Sequence, residues 1–245
     1  MCANLVTKKL TIITLSYNCV DQVQSFMEGI NRLDSSYFDL IIFDGGSQDG
    51  TYEKFSKYEK NIKYLNSEPD RGFYFALNDA VKTVETEYYL VFGVDDIPSI
   101  ELEKVIREEL HFGADLILGR TRLSPSGRLK VPGPRWLHRL IWGRCISHHS
   151  VGTIIRTGSH AKFGWYDTAY SMLADGKFIK SIFKLNGNIR YSNAEFGTFA
   201  ENGMSSRAIF ISIVESFRLQ TQLGENFIIQ LLFLIFRMIK NRKNL

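Results

Sequence analysis

The pattern that most constrains the fold is an alternation of short apolar segments with segments of helical period. Three β-branched or apolar segments are typical of buried strands: residues 9–16, 38–43 and 88–94. Segments with apolar residues at helical spacing follow them: residues 20–33, 73–84 and 100–112. Strands that alternate with helices in this way predict βαβ units, and therefore an α/β fold with a mostly parallel central sheet flanked by helices.

Polar residues follow the carboxyl ends of two of these strands. Asp44-Gly45-Gly46-Ser47 follows the second strand, and Asp95-Asp96 follows the third. Ligands of open α/β sheets bind at this edge, so the two positions together predict a nucleotide site. Each has a simpler interpretation. The first is also a common turn sequence, and the second pair of acids could cap a helix that begins near Ser99.

The residue types at these strand ends suit a nucleoside diphosphate. A carboxylate at Asp44 can accept a hydrogen bond from a base imide or a ribose hydroxyl, and the glycines after it let a ligand approach the backbone. Hard oxygen ligands suit Mg²⁺ or Mn²⁺, which bind through one or two carboxylates together with substrate phosphates. We therefore expect Asp95 and Asp96 to hold one of these metals.

Four segments, in this order, give the chain a resemblance to the family 2 glycosyltransferases of the GT-A fold. They read LTIITLSYN, IIFDGGSQDGT, EPDRGFYFALN and FGVDD, at residues 10–18, 41–51, 68–78 and 92–96. The second resembles the family's DGGSxDGT variant, the third its EPDxGxYDAxN segment, and the fourth occupies its DxD position. The resemblance covers about residues 9–210. It implies a Rossmann-like GT-A domain and a metal-dependent, inverting transfer of sugar from a UDP-sugar.

The resemblance also assigns the donor site. It implies donor contacts from five places: the opening strand and loop, the acid whose family counterpart contacts uracil, the third segment, the acid pair, and a loop similar to the family's GISS loop. The corresponding residues, in that order, are Thr14, Ser16 and Tyr17; Asp44; Arg71; Asp95 and Asp96; and Arg207. A solvated surface position is the alternative for Arg207. The chain departs from the family at Gly93, where an acid is common, and at Phe75, which replaces an aspartate. The first departure leaves Asp95 as the principal metal ligand, and the second bears on sugar recognition or on the level of activity.

The resemblance places the catalytic base at Asp175. Residues 173–178, LADGKF, are similar to the family's acceptor-side AD or ED site. The alternative is an ordinary acid at a helix terminus, which the helix dipole favours. Asp167 is the neighbouring candidate, and we expect its role to be mainly structural.

The rest of the chain predicts an acceptor-side half and a tail. We expect one domain over residues 1–210, divided into a nucleotide-binding half (1–118) and an acceptor-side half (119–210), and a C-terminal amphipathic helical tail over residues 211–245. Residues 120–144 are basic and contain three prolines, which predicts a mobile basic loop. Residues 227–236 are apolar except for Gln230 and are followed by cations, as in an interfacial membrane helix. Packing of this helix on the core or on a second subunit is the alternative.

The composition of the chain limits the classes of partner and the cellular location that we expect. A formal charge of +4 is too small to indicate nucleic acid. Three widely spaced cysteines do not form a disulfide framework, and the start of the chain does not resemble a secretory signal, so we expect a cytoplasmic protein. Peripheral contact with the cytoplasmic face of the inner membrane stays open, as does the oligomeric state. The expected partners are a nucleotide-sugar donor and a carbohydrate or lipid-linked acceptor.

Two other functional classes are compatible with the pattern. A nucleotidyltransferase could use the same layout, but its first loop typically carries glycine and lysine, and Ser16-Tyr17-Asn18-Cys19 has neither. A nucleotide-sugar-binding protein with a decayed catalytic site is the second, because Gly93 and Phe75 depart from the family pattern. Hydrolysis of the donor would separate an enzyme from a decayed site.

Overall fold

The computed structural model describes residues 8–138, 145–148, 150–201 and 209–242. Its strands are β1 (Leu10–Ser16), β2 (Phe38–Asp44), β3 (Tyr64–Ser67), β4 (Tyr88–Val91), β5 (Ile97–Pro98), β6 (Leu116–Ser124), β7 (Leu129–Lys130), β8 (Thr153–Arg156) and β9 (Ile189–Ala200). Its helices are α1 (Val20–Ile30), α2 (Thr51–Ser56), α3 (Phe73–Lys82), α4 (Glu101–Glu108), α5 (Ser159–Phe163), α6 (Ala174–Lys184), α7 (Ile209–Gln222) and α8 (Phe227–Lys240). Short 3₁₀ turns lie at residues 59–61 and 135–137.

The strands form one sheet in the order β3-β2-β1-β4-β8-β6-β9-β5, with β7 paired to β6. The first four strands are mutually parallel, and β6 and β9 are parallel to each other. Strand β8 is antiparallel to both of its neighbours. The predicted mostly parallel α/β fold is confirmed. Because Ser16 pairs with Asp44 in register, β1 and β2 end together at the edge where the predicted site lies.

Two apolar layers cover the sheet. Alternate residues of a strand face opposite sides, so Ile12 packs into one layer and Ile13 into the other. The first layer includes Phe26 of α1, and the second includes Phe178 of α6. Truncating a fully buried phenylalanine such as Phe26 to alanine typically costs about 3–5 kcal/mol. These layers fix the strand ends on which the site is built.

The predicted mobile loop over residues 120–144 is wrong for its first part. Strand β6 continues to Ser124, turns back through β7 and pairs with β9 along its length. Arg122, on β6, forms two hydrogen bonds of 3.0 and 2.5 Å with the carboxylate of Glu195 on β9. The arginines of this segment alternate with buried residues of a strand, and an acid on the neighbouring strand neutralises one of them. Residues 139–144 lie outside the described part, and the predicted division at residue 118 falls inside β6.

The C-terminal helices form a hairpin whose second helix has its polar residues inward. On α8, Gln230 is buried, and Arg237 is half-buried and donates to Ser216 Oγ of α7 at 2.6 Å. Apart from Lys240, the exposed positions of α8 are apolar: Phe227, Ile228, Ile229, Leu231, Leu232, Ile235, Phe236 and Ile239. No helix within the described ranges has both the length and the apolar character needed to cross a membrane.

Candidate active site at the carboxyl edge of the sheet

Asp44 is a buried carboxylate that joins the ends of three parallel strands. Oδ1 accepts from Ser16 Oγ at 3.0 Å and from Ser47 Oγ at 2.5 Å. Oδ2 accepts from the Ser47 amide at 2.8 Å and from Ser67 Oγ at 2.6 Å. An ionised carboxylate has about four acceptor positions, so these four bonds from described residues saturate it. Its side chain is therefore committed to the scaffold of the edge.

The loops after β1 and β2 are bonded to each other, which fixes the backbone of the edge. Asn18 exchanges two hydrogen bonds across the loops, from its amide to Ser47 Oγ and from the Gln48 amide to its own Oδ1. Asp49 Oδ2 accepts from the Val20 amide at the start of α1. Asn18 has a left-handed φ of 45°, which Asn tolerates better than most residues. The residue before it, Tyr17, is left exposed to solvent.

The predicted donor residues fall into an exposed set and a buried set. Tyr17 is 64% exposed, and Arg71 and Asp95 are also exposed. Ser16, Asp44 and Asp96 are buried directly beneath the edge. Thr14 lies two residues before Ser16 on β1 and is completely buried, and its hydroxyl makes no hydrogen bond to the described residues. The Thr14 side chain is therefore not accessible to a donor in this structure, and its predicted donor contact stays a prediction.

Asp70 is a residue of the edge that sequence reasoning missed as a functional candidate. Its Oδ1 accepts from the Gly72 amide at 2.8 Å. A Cβ atom on Gly45 would lie 2.9 Å from Asp70 Oδ2 and 3.4 Å from Cδ2 of the Tyr17 ring. The Asp70 carboxylate therefore occupies the space that a side chain at position 45 would need. In the sequence, two features could have indicated this contact: the glycine that follows Asp44, and the acid within the EPDRG segment.

The acid pair at the end of β4 has a similar arrangement around Gly93. A Cβ atom on Gly93 would lie 2.6 Å from Asp95 Oδ1 and 3.2 Å from Asp96 Oδ2, so both carboxylates converge on this glycine. Asp96 Oδ2 accepts from the Gly93 amide at 2.8 Å, and Oδ1 accepts from the Ala200 amide at 3.1 Å. Burial, with a further contribution from the charge of Asp95, raises the pKa of Asp96 to about 7.

These two carboxylates fit a divalent cation. The buried Asp96 carboxylate accepts two hydrogen bonds from the described residues, fewer than its lone pairs can accept, and Asp95 beside it is exposed. Mg²⁺ and Mn²⁺ commonly take one or two carboxylates from the protein and further oxygens from substrate phosphates. Within the described ranges, no group of three or more His, Cys, Asp or Glu side chains is positioned to hold a metal. The pair could therefore hold a metal only with help from a ligand or water.

Phe75, which replaces an acid of the family pattern, contacts Arg71. The guanidinium carbon of Arg71 lies 4.8 Å from the centre of the Phe75 ring, a cation–π contact. The contact holds an exposed cation at the start of α3, on the segment that carries Asp70. A phosphate oxygen could bind this guanidinium through two parallel hydrogen bonds.

Asp175 lies in the first turn of α6 and is 7% exposed. Its Oδ1 accepts from the Gly176 amide at 2.6 Å. Burial raises the pKa of Tyr74 well above its ordinary value, and the nearby Asp175 carboxylate adds to this shift. The Tyr74 hydroxyl donates to the Met172 carbonyl at 2.8 Å. Tyr74 belongs to the first turn of α3, so the predicted base adjoins the segment that carries Asp70 and Arg71.

Asp167, the other candidate for the base, is occupied by an ion pair. It bonds Lys177 on α6, and this lysine lowers the pKa of the Asp167 carboxyl. It also accepts from the Ala169 amide at 3.0 Å. These contacts fit the structural role expected for Asp167. Arg207, the remaining predicted donor residue, lies outside the described residues.

Glu215 is a second residue that sequence reasoning missed. It is buried on α7, and its Oε1 accepts from the Ser171 amide at 2.7 Å and from Ser171 Oγ at 2.9 Å. Oε2 accepts from the amides of Met172 and Leu173 at 2.9 Å each. These four bonds hold the chain that leads directly to Asp175. No local pattern around residue 215 signals the contact, because it spans more than 40 residues.

A cleft of about 380 Å³ lies at the opposite, amino edge of the sheet. Its charged side chains are paired: Glu85 with Lys63, Glu87 with Arg156, and Asp115 with Lys162. Because these charges neutralise one another, the cleft offers little attraction to an ionic ligand. The carboxyl edge is therefore the better candidate for the active site.

Comparisons with known proteins relate the chain to glycosyltransferases. The family model described as Glycosyl transferase family 2 matches residues 11–164. The PGL/p-HBAD biosynthesis glycosyltransferase of Mycobacterium bovis (strain BCG / Pasteur 1173P2) is 25% identical over 230 residues, which cover 90% of this chain and 88% of that relative.

Two solved structures share the fold. S. aureus TarS 1-349 in complex with UDP-GlcNAc has a TM-score of 0.70 at 17% identity, covering 95% of this chain and 73% of that one. The mannosyltransferase PcManGT from Pyrobaculum calidifontis, in complex with GDP-Man and Mn²⁺, has a TM-score of 0.65 at 14% identity, covering 98% of this chain and 77% of that one. At these identities the likeness establishes the fold alone.

Proposed function

The chain belongs to glycosyl transferase family 2, and on this premise we propose that it transfers a sugar, with inversion, from a UDP-sugar to an acceptor hydroxyl. The observation that carries the proposal is the convergence of the Asp95 and Asp96 carboxylates on Gly93, at the edge where Tyr17 and Arg71 are exposed. This edge offers an aromatic ring for a base, a cation for phosphate and two acids for a metal. A bound Mg²⁺ or Mn²⁺ would neutralise the charge that develops on the departing diphosphate.

Asp175 is proposed as the base. As the acceptor oxygen attacks the anomeric carbon, its proton passes to the Asp175 carboxylate. The bond between the anomeric carbon and the diphosphate oxygen breaks at the same time, and UDP leaves with the electron pair. A base in this position contributes about 10²–10⁴-fold to the rate. The adjacency of Asp175 to Tyr74, at the start of α3, supports the assignment.

The test of the donor site is calorimetry with nucleoside diphosphates, with and without Mn²⁺. We expect UDP to bind with the metal, and Asp95→Ala to weaken this binding by about a hundredfold or more. Asp79→Asn, which removes an exposed acid from α3, is the matched control and should bind as the wild type does. A folded protein that binds none of the nucleotides would contradict the proposal.

The base is tested by Asp175→Asn, which should lower kcat by about a hundredfold or more without changing the affinity for UDP. Asp167→Asn is its control, because it removes a carboxylate that is already paired with Lys177. Equal losses of kcat in the two variants would remove Asp175 from the mechanism.

A catalytically decayed donor-binding protein is the second candidate, because Gly93 replaces a family acid. The arrangement at Gly93 weakens this alternative, since Asp95 and Asp96 both reach the place that the missing side chain would occupy. Turnover decides between the two. An intact enzyme hydrolyses its donor slowly in the presence of Mn²⁺, whereas a decayed site binds the donor without consuming it.

We further propose that the acceptor is carried on an anionic lipid and that the α7–α8 hairpin docks on the membrane surface. On α8 many apolar residues are exposed to solvent, whereas Gln230 is buried and Arg237 bonds Ser216 of α7, an arrangement that is unfavourable in water and suits an apolar surrounding. A helix of this length spans about 21 Å, less than the hydrocarbon core of about 30 Å, so it would lie along the surface. Lys240 and Arg242 at its end would attract anionic headgroups.

Sedimentation with phosphatidylcholine vesicles, with and without phosphatidylglycerol, tests this docking. We expect the protein to sediment with the anionic vesicles and Leu232→Glu/Phe236→Glu to stay in solution. Glu substitutions at Tyr52, exposed on α2, provide the control for added charge. Equal sedimentation of the full chain and of a chain lacking residues 227–245 would contradict the docking. Dimers that dissociate in the double variant would assign the face to a second copy instead.

A further inference from the structure

We propose that Asp70, rather than Asp44, is the carboxylate that selects the nucleobase of the donor. The inference rests on the proposed donor site and states which bases that site accepts. A carboxylate at this position takes a base whose edge presents a ring N–H beside a carbonyl, as in uracil and guanine. It repels cytosine and adenine, whose corresponding ring nitrogens are acceptors.

The first step is that Asp44 has no acceptor position left. Its four hydrogen bonds from described residues come from Ser16, Ser47 and Ser67, and the side chain is only 3% exposed. A base would have to displace one of these donors, of which Ser16 is buried and Ser47 and Ser67 are half-buried. The displaced hydroxyl or amide would lose its partner at this largely covered edge, which offsets what the new bond contributes.

The second step is that Asp70 has both a free position and a fixed direction. It is exposed, and its Oδ1 is anchored by the Gly72 amide at 2.8 Å. Asp70 Oδ2 accepts no hydrogen bond from the described residues. This oxygen lies 2.9 Å from the place of a Cβ atom on Gly45, over bare backbone. It therefore faces the strand end and is available to a ligand there.

The third step is that an aromatic ring meets the same point. Cδ2 of Tyr17 would lie 3.4 Å from a Cβ atom on Gly45, and the ring is 64% exposed. A base stacked on Tyr17 would present its edge toward Asp70. Stacking on an aromatic side chain tolerates any base, so the carboxylate supplies the selection.

Gly45 and Asp70 are complementary, because a side chain at position 45 would collide with the Asp70 carboxylate as it stands. This predicts that the carboxylate can be moved from one position to the other. Asp70→Ala should lose base selection, and Gly45→Asp/Asp70→Ala should recover part of it from the opposite side of the pocket.

The test compares the affinities of the full chain for UDP, GDP, CDP and ADP in the presence of Mn²⁺. The wild type should prefer UDP or GDP over CDP and ADP by roughly ten- to a hundredfold, the effect of one hydrogen bond to a charged group. Asp70→Asn presents an amide that can donate, so the ratio of UDP to CDP affinity should fall by about tenfold or more. The ratio cancels any general effect of the lost charge on diphosphate binding.

Glu68→Gln is the matched control, since it removes an exposed acid from the same segment and should leave the ratio unchanged. An unchanged ratio in Asp70→Asn, with UDP bound in a manner that needs Asp95, would overturn the role of Asp70 and keep the donor site. A wild-type preference for CDP or ADP would also overturn it. Failure of the wild type to bind any nucleotide would overturn the donor site and this inference together.

Discussion

The ends of β2 and β4 each bury an aspartate, and the two aspartates are stabilised in different ways. Asp44 accepts four hydrogen bonds from the described residues, three of them from serine hydroxyls. Within the described ranges, Asp96 accepts two hydrogen bonds, both from backbone amides, and has the like charge of Asp95 beside it. A buried carboxylate needs donors or a cation to remain ionised. The end of β2 supplies hydrogen-bond donors to its aspartate, so Asp44 has a structural role. The end of β4 supplies fewer donors, so Asp96 would be stabilised by a bound cation.

The largest expected effect is on the pH dependence of stability. Burial, and then the charge of Asp95, raises the pKa of Asp96 from 3.8 to about 7 in the folded protein. The folded state therefore binds this proton more tightly than the unfolded state does. The resulting stabilisation is complete below about pH 4 and is lost as the pH rises through 7. It amounts to as much as about 4 kcal/mol in the metal-free protein.

Urea unfolding of the wild type and of Asp96→Asn between pH 4 and 8 measures this effect. The difference between the two proteins isolates the acid pair at Asp96, because titrating groups remote from it act equally in both. His160 is one of these: burial lowers its pKa to about 4, so its stabilising effect is lost as the pH falls from 6.5. We expect the wild type to lose stability relative to Asp96→Asn as the pH rises, and Mn²⁺ to reduce that loss. A constant difference would show that Asp96 is satisfied without a cation.

The second prediction concerns Asp44, whose replacement should destabilise the protein by an amount that does not depend on pH. Asp44→Ala removes the common acceptor of Ser16, Ser47 and Ser67 and should lower the free energy of unfolding by about 3 kcal/mol at any pH from 6 to 8. Asp44→Asn should cost less, because one oxygen still accepts. Urea unfolding measures both. If Mn²⁺ stabilised the wild type but not Asp44→Ala, Asp44 would be a metal ligand and the contrast with Asp96 would disappear.

The donor half shows how far local sequence predicts this site. The alternation of strands and helices and the acids after β2 and β4 locate the carboxyl edge, because side chains at strand ends are placed by residues next to them. The role of each acid does not follow in the same way. Whether Asp44 is saturated depends on Ser67, which is 23 residues away on β3, and the space for Asp70 depends on Gly45.

The acceptor half was less predictable for the same physical reason. The arginines of β6 obscured the alternation of its buried residues in the sequence. In the structure Arg122 bonds the carboxylate of Glu195 and Arg120 bonds the amide oxygen of Asn193, both on β9. The support of Asp175 by Glu215 crosses more than 40 residues. Contacts of this kind are fixed by packing and not by a local pattern, so one sequence reveals the candidate Asp175 but not what holds it.

Glu215 sharpens the contrast by supplying another saturated carboxylate, on the acceptor side. Glu215→Gln replaces two acceptor positions with an amide that donates, and the Ser171–Leu173 backbone would lose bonds that position Asp175. We expect a loss of about 2 kcal/mol in the free energy of unfolding. We also expect a lower kcat with an unchanged affinity for UDP, since the donor site lies on other strands. Unchanged kcat in the folded variant would limit Glu215 to a structural role.

The smallest effect is expected at Gly93, where the neighbouring atoms can move. A Cβ atom there would meet Asp95 Oδ1 at 2.6 Å, but Asp95 is exposed and its side chain can rotate away. The contact with Asp96 Oδ2 at 3.2 Å requires only a small adjustment. Gly93→Ala should therefore change the free energy of unfolding by less than about 1 kcal/mol. The affinity for Mn²⁺ in the presence of UDP should fall several-fold, because the rotated Asp95 no longer converges with Asp96. Equal metal affinity in Gly93→Ala and the wild type would mean that the observed orientation of Asp95 is not the one that binds the cation. The protein ligand of the cation would then be Asp96, together with the ligand phosphates.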